Sequence, residues 1–199
     1  MTGAGLADVK KALTEAEGDF DKAKELLRER GLAIAAKRSD RETSNGCVLV
    51  KKVNDFAAII ALKCETDFVA NGADFIKLTS DILDAAIAAK AHTLDEVKTL
   101  KVGDADAQAA VTQRSGITGE KMELDGYCVL EGDNIEVYDH MNKHTLCTMA
   151  QLNETNEEAG HKVAMQVAAM RPVALDESSV SKQTQKTELE VAVAKPKDE

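Results

Sequence analysis

The sequence is poor in aromatic residues, with no tryptophan and an aromatic content of only 3%. Surfaces that stack single-stranded nucleic-acid bases depend on such side chains, so this composition argues against one. Acidic residues outnumber basic ones, 35 against 25, and the formal net charge is -10. Sequence-independent nucleic-acid binding requires clustered cations that neutralise phosphates. We therefore predict no direct nucleic-acid partner.

Paired cysteines and long apolar runs are also missing. None of the four cysteines forms a CxxC pair, and each lies in or beside an apolar strand pattern, which favours core thiols in a reducing compartment. They are Cys47, Cys64, Cys128 and Cys147. No apolar stretch reaches the roughly eighteen residues of a membrane-spanning helix, and Met1 leads into a helical pattern rather than a signal peptide. The sequence therefore predicts a cytoplasmic protein without a membrane partner.

No enzyme motif is present. The sequence has no Gly-rich phosphate loop with a lysine, no GxSxG and no HExxH. One weaker alternative is a thiol enzyme in which Cys147 lies near His140 or His144 across a hairpin. A thiol and an imidazole on neighbouring strands are usually ordinary residues, so the sequence favours a binding protein, with no cofactor and no metal, over an enzyme.

One segment, residues 64–71, organises the rest of the chain, and we call it the tip segment. An apolar run predicts a buried strand over 56–64 before it, and helical spacing predicts a helix after it. Thr66 and Asp67 carry short side-chain oxygens of the kind that end strands and cap helices. Phe68 has two interpretations. It folds back onto the helix and fills the core, or it is an exposed apolar probe beside a carboxylate.

The N-terminal part of the chain predicts a small helical bundle. Three short helices are expected over residues 1–38, with a break at Gly18 and a C-cap at Gly31. Such a bundle resembles a ubiquitin-associated-type docking module, although it could equally cap the larger domain. The predicted division is a helical module over 1–38, a polar linker over 39–45, a first core subdomain over 46–134, a second core subdomain over 135–177 and a polar tail over 178–199.

The core pattern predicts an α+β fold with an antiparallel sheet flanked by helices. Two strands joined by Asn54-Asp55 predict a hairpin, and Thr93 with Glu96 is a capping-box pattern that opens a short helix. The tail predicts either disorder or a helix without its partner. Further strands are predicted over 122–131, 135–140 and 145–152, and helices over 75–90, 105–113 and 156–170.

The pattern Glu-Thr occurs at two predicted strand-to-helix turns, at Glu65-Thr66 and at Glu154-Thr155. An Ala-rich amphipathic helix follows each, which predicts a core of two related strand-turn-helix units. Only the first turn carries an aromatic residue. Architecture alone therefore gives no reason for Phe68, which favours the exposed-probe interpretation.

Several motifs, in order along nearly the whole chain, resemble the elongation factor Ts family. Members of this family are bacterial and organellar guanine-nucleotide exchange factors for elongation factor Tu. The motifs are Thr2-Gly3-Ala4-Gly5-Leu6 with Asp8-Val9-Lys10, then Cys64-Glu65 before Thr66-Asp67-Phe68-Val69, then Leu130-Glu131-Gly132-Asp133, and finally residues 163–169 with Pro172.

The resemblance implies that the chain binds elongation factor Tu and promotes GDP release and GTP exchange. On that basis the Mg²⁺ site of the partner is displaced by Thr66, Asp67, Phe68 and Val69, with Phe68 as the wedge. Leu6 and Ala7 match the docking edge of the family, and His140 matches a core position facing the same partner. An ordinary exposed strand residue is an equally good interpretation of His140. The resemblance leaves a homodimer open.

The sequence departs from the family pattern at both ends. Met1 stands directly before Thr2, where family members begin earlier, and family members continue beyond residue 199. We therefore expect a shortened chain with a partial second core subdomain, an unpaired sheet edge and reduced exchange. The chief alternative is a module that docks a ribosomal or other partner through residues 1–38 without exchange. In that case Phe68 would be dispensable and Leu6 decisive.

Overall fold

The computed structural model describes residues 5–194, except the side chains of residues 34, 35 and 194. The opening motif Thr2-Gly3-Ala4 and residues 195–199 lie outside this range. The helices are α1 Leu6–Glu15, α2 Phe20–Ala36, α3 Asp67–Ala70, α4 Ala73–Ala89, α5 Leu94–Thr99, α6 Ala107–Thr118, α7 Glu157–Met170 and α8 Lys182–Ala194. The strands are β1 Asn45–Val53, β2 Phe56–Cys64, β3 Lys101–Val102, β4 Ala105–Asp106, β5 Glu123–Glu131, β6 Ile135–Asp139 and β7 Cys147–Gln151.

The main sheet has the order β1-β2-β5, and all its pairs are antiparallel. Strand β2 lies at its centre, with side chains such as Phe56, Ile60 and Leu62 fully buried. Helix α4 packs on β1 and β2 and contributes Phe75 and Ile82 to the same core. The predicted mixture of helices and antiparallel sheet is confirmed. The β1–β2 hairpin is also confirmed, because Val53 pairs with Phe56 across Asn54-Asp55 and Asn54 has a positive φ of 54°.

The prediction of three N-terminal helices is wrong within residues 5–36, where the chain forms α1 and α2 alone. Gly31 does not end a helix, because α2 continues through it to Ala36. Its role is a close helix crossing, since a Cβ built on Gly116 of α6 would overlap the Cα of Gly31. A glycine at this crossing lets the two backbones approach each other. Helix α2 therefore packs directly against a helix of the core.

A second hairpin, β6–β7, forms its own two-stranded sheet and packs beside β1. The main-chain N–H of Val48 donates to the carbonyl of His144 at 2.7 Å, and the Lys52 ammonium donates to the carbonyl of Ile135. Strand β6 therefore runs from the Lys52 end of β1 toward its Val48 end. Helix α7 covers this hairpin, where the Thr148 hydroxyl donates to the Ala164 carbonyl at 2.7 Å.

The cap of α5, the C-terminal tail and the cysteines can each be compared with their sequence predictions. The capping box of α5 is present, with Thr93 and Glu96 satisfying each other's main-chain N–H groups. The tail forms α8, so the helical alternative holds there up to residue 194. Cys47 and Cys64 are core thiols as predicted, but Cys128 is exposed because its strand turns that side chain outward. None of the helices within residues 5–194 combines the length and apolar character needed to cross a membrane.

Candidate partner-binding tip

The tip segment begins where both ladders of the main sheet end. The last pairs of β2 are Cys64 with Asn45 and Lys63 with Glu123. Beyond them the backbone turns into the short helix α3, whose N-cap is Thr66. The Thr66 hydroxyl accepts from the N–H of Val69 at 3.4 Å. This is the capping role that the residue type predicts.

Side chains replace the missing ladder bonds on both sides of the turn. The Glu120 carboxylate accepts from the main-chain N–H groups of Glu65 and Thr66, each at 3.1 Å, and from the Thr66 hydroxyl at 2.6 Å. On the other side the Asn45 amide donates to the Glu65 carbonyl at 2.9 Å. Buried or half-buried main-chain groups need such partners. The turn is therefore fixed before α3 begins.

Glu65 makes the reciprocal contact. Its carboxylate accepts from the main-chain N–H of Lys121 at 2.6 Å and from the Arg41 guanidinium at 3.0 Å. These two contacts, with that of Lys121 the larger, lower the pKa of Glu65 below its ordinary value. A hydrogen bond to an ionised carboxylate is stronger than one between neutral groups. Glu65 and Thr66 of the tip are thus hydrogen-bonded to Glu120 and Lys121, which follow α6.

The C-terminal side of the tip is packed rather than bonded. Ala70 is buried, and Val69 is half-buried against the main core. The Asn71 amide donates to the Asp67 carbonyl at 2.8 Å. A Cβ built on Gly72 would lie 3.1 Å from the Val69 carbonyl oxygen, so the passage from α3 to α4 is a close backbone approach that favours glycine.

Phe68 lies on the outside of this rigid turn. Its side chain is 86% exposed, and Asp67 beside it is exposed as well. The interpretation that Phe68 fills the core is therefore wrong, because Val69 and Ala70 occupy that side of α3. An exposed phenyl ring loses the free energy of burial, about 1.5–3 kcal/mol. The chain nevertheless presents one beside a carboxylate, on a turn whose entry and cap are hydrogen-bonded.

The other predicted site residues lie on different elements. Leu6 is 87% exposed and Ala7 is exposed, both at the start of α1. His140 is exposed in the turn after β6, with its Nδ1 3.0 Å from the Tyr138 hydroxyl. The turn that carries His140 packs beside the middle of β1, where the His144 carbonyl accepts from the Val48 N–H. Helix α1 packs against α2, so Leu6 lies on a different element from the tip.

The geometry opposes the thiol-enzyme alternative. The Cys147 thiol donates to the Val48 carbonyl at 3.3 Å, and burial raises its pKa to about 12. The neighbouring imidazole of His144 is bonded through Nδ1 to the Asp139 carboxylate at 2.6 Å. A nucleophilic thiol needs a lowered pKa. Cys147 has the environment of a structural thiol.

Comparison with known proteins shows the family of this chain. A family model described as Elongation factor TS matches residues 65–199, a region that includes the tip from Glu65 onward. The chain belongs to the elongation factor Ts family. A protein named Elongation factor Ts from Bacteroides fragilis is 63% identical over 200 residues, covering 100% of this chain and 61% of the relative. Its namesakes are 60% identical in Parabacteroides distasonis, covering 100% of this chain and 60% of the relative, and 46% identical in Porphyromonas gingivalis, covering 96% and 70%.

The chain thus spans about three fifths of the length of the first two of these relatives. Sequence reasoning placed the exposed residues of the tip but missed the residues that bond it. Glu120, Lys121 and Arg41 lie far from the tip in sequence, in polar stretches whose composition is that of ordinary loops. The signal that could have found Glu120 is its position directly after Gly119, the left-handed C-cap of α6 with φ 75°. Glycine is common just past a helix end, so the sequence marks where α6 stops but not which groups the Glu120 side chain bonds.

Proposed function

We propose that this chain binds elongation factor Tu and accelerates GDP release, as a guanine-nucleotide exchange factor rather than an enzyme. Family membership supports the partner, and one structural observation carries the mechanism. Phe68 is 86% exposed on a turn whose backbone is bonded on both sides. A wedge must be apolar, exposed and rigid, because a flexible one would lose conformational entropy when it inserts. Phe68 has these three properties.

The partner is a GTPase that binds its nucleotide through Mg²⁺ and main-chain amides. We assign Phe68 the insertion between side chains near that Mg²⁺ site and Asp67 the contact with the segment that binds the ion. Thr66 caps the turn and Val69 seats it against the core. A protein that binds the nucleotide-free state more tightly must weaken nucleotide binding by the same factor. Each tenfold requires about 1.4 kcal/mol of differential contact, and burial of one exposed phenyl ring supplies about that much or more.

We assign docking to three exposed residues outside the tip, Leu6, Ala7 and His140. Leu6 and Ala7, exposed at the start of α1, form a small apolar edge for the nucleotide-binding domain of the partner. His140, exposed in the turn after β6, contacts the same partner. The α1–α2 pair acts as the docking module that the ubiquitin-associated-like pattern suggested. The protein works in the cytoplasm, without a nucleic-acid or membrane partner, and a homodimer is compatible with these assignments.

The test is release of a fluorescent GDP analogue from purified elongation factor Tu at fixed Mg²⁺. We expect the unsubstituted chain to accelerate release and Phe68→Ala to remove most of that gain. The matched control is Leu175→Ala, since Leu175 is also a large exposed apolar residue, 98% accessible, and lies after α7, outside the tip and the docking helices. Loss of an exposed apolar side chain outside these regions should leave release unchanged.

Three results would count against the proposal. Equal loss in Phe68→Ala and Leu175→Ala would mean that exposed apolar area, rather than the tip, carries the effect. Full activity of Phe68→Ala would exclude the wedge. Binding without accelerated release, abolished by Leu6→Ala but not by Phe68→Ala, would favour a docking module that performs no exchange.

A further inference from the structure

The Glu120 carboxylate is the main polar link between the tip segment and the rest of the molecule. It is half-buried, and it uses both oxygens. Oε2 accepts from the N–H groups of Glu65 and Thr66, while Oε1 accepts from the Thr66 hydroxyl. That hydroxyl in turn accepts from Val69, inside the turn that presents Phe68. One side chain therefore bonds both the entry to the turn and its cap.

Glu120 is itself fixed on the main chain. Its carbonyl accepts from the hydroxyl of buried Ser115 at 2.5 Å, and its N–H donates to the Thr118 hydroxyl at 3.2 Å. Gly119 between them is in the left-handed conformation that ends α6. The side chain therefore projects from an end of α6 that has its own internal bonds. The next residue, Lys121, donates its N–H to the Glu65 carboxylate, so the two segments are hydrogen-bonded in both directions.

Helix α6 connects this contact to the N-terminal helices. Gly116, one turn before Glu120, crosses Gly31 of α2 at backbone contact. Packed contacts thus lead from the proposed docking helices, through the α2–α6 crossing, to Glu120 and the tip. Docking of α1 on a partner would consequently determine where Phe68 points.

We infer that Glu120 is a positioning residue, which orients the Asp67-Phe68 tip relative to the docking helices. The inference rests on the proposed exchange function. Without the carboxylate, two main-chain N–H groups and the cap hydroxyl lose their acceptor beyond the last ladder pair of β2. The turn then samples several orientations, of which only a fraction suits insertion. If about one in ten is competent, the maximal release rate falls about tenfold, which corresponds to about 1.4 kcal/mol.

The variant Glu120→Ala tests this inference in the GDP-release assay with the full chain, at increasing concentrations of the chain. We expect the maximal rate to fall about tenfold while the half-saturating concentration changes by less than about twofold, because docking is intact. Glu120→Gln keeps one oxygen for the two N–H groups, and its amide nitrogen can donate to the Thr66 hydroxyl. It should recover to within about threefold of the unsubstituted chain.

The matched control is Glu131→Ala at the opposite end of β5. This carboxylate is also half-exposed and hydrogen-bonded, to Lys90 at 3.2 Å, but it touches nothing in the tip. We expect its release rate to stay within about twofold of the unsubstituted chain. A loss as large as that of Glu120→Ala would mean that general destabilisation explains both variants, and would overturn the inference.

A double-mutant cycle separates positioning from other roles. If Glu120 acts through Phe68, then Glu120→Ala has no further effect in a Phe68→Ala background, because there is no wedge left to orient. Additive losses would overturn the inference. So would a Glu120→Ala variant as active as the unsubstituted chain.

Amide hydrogen exchange gives a readout that does not depend on exchange activity. The N–H groups of Glu65 and Thr66 should be protected in the unsubstituted chain and in Glu120→Gln, and unprotected in Glu120→Ala, while core amides of β2 stay protected in all three. Unchanged protection in Glu120→Ala would show that the carboxylate does not fix the turn. If the unsubstituted chain does not accelerate GDP release from elongation factor Tu, the proposed function is wrong. The protection data would still decide whether Glu120 fixes the tip.

Discussion

The crossing of α2 and α6 predicts opposite effects for the same substitution at two glycines. A Cβ on Gly116 would overlap the Gly31 Cα and lie 3.1 Å from its carbonyl carbon, and these backbone atoms cannot move aside. A Cβ on Gly31 would instead lie 3.6 Å from the Gly116 Cα, which is ordinary van der Waals contact. Gly116→Ala should therefore force the helices apart, whereas Gly31→Ala should fit.

The magnitudes follow from two competing effects. Overpacking costs roughly 1–3 kcal/mol, and replacing a helical glycine by alanine returns at most about 1 kcal/mol. We expect Gly116→Ala to lower the free energy of unfolding by about 1–2 kcal/mol and Gly31→Ala to raise it by about 0.5–1 kcal/mol. For a chain of this length each kcal/mol corresponds to roughly 2–4 °C in Tm.

Denaturant unfolding followed by circular dichroism measures both variants against the unsubstituted chain. The reasoning is refuted if Gly116→Ala is as stable as the unsubstituted chain. It is refuted equally if Gly31→Ala is destabilised, which is the result expected of a left-handed C-cap at residue 31.

Two further predictions concern titratable groups. The pKa of Glu65 is lowered by its bonds to Lys121 and Arg41, so its contribution to stability is complete above its unfolded pKa and is lost as pH falls through the folded one. The free energy of unfolding should therefore drop less between pH 7 and pH 3 in Glu65→Gln than in the unsubstituted chain, and parallel curves would contradict this. Burial raises the pKa of Cys147 to about 12 and of Cys47 to about 11, while Cys128 is exposed. Iodoacetamide at pH 7.5 should accordingly modify Cys128 first, as measured by mass spectrometry, and GDP release should be unchanged. Equally fast alkylation of Cys147 would contradict the structural role of that thiol.

Local patterns predicted those elements whose signals are local in physical origin. The two-residue turn at Asn54-Asp55 follows from residues that tolerate turn conformations between two apolar runs. The capping box at Thr93 and Glu96 closes within four residues. The turn at the tip was predicted in the same way, because Thr66 is a capping residue placed where a strand pattern stops. In each case the groups that make the structure are neighbours along the chain.

The failures have a shared cause. Gly31 was interpreted as a helix end because glycine is common there, yet its real constraint is the backbone of Gly116, 85 positions away in the chain. A lone glycine in a helical pattern cannot reveal a partner that distant. The alternative in which Phe68 fills the core failed for a similar reason. Helix α3 packs against β1 and β2, and their position decides that Val69 and Ala70, not Phe68, face the core.

By itself the sequence determined the α+β character, the family and the residue types of the tip, because periodicity, capping chemistry and short motifs are written in consecutive positions. Only the tertiary structure decided that Phe68 points outward, that Glu120 accepts hydrogen bonds from the turn and that α2 packs against α6. These depend on which surfaces meet after folding. Hydrogen bonds such as that from Thr66 to Glu120 join residues brought together by packing, and no pattern along the chain encodes their distance.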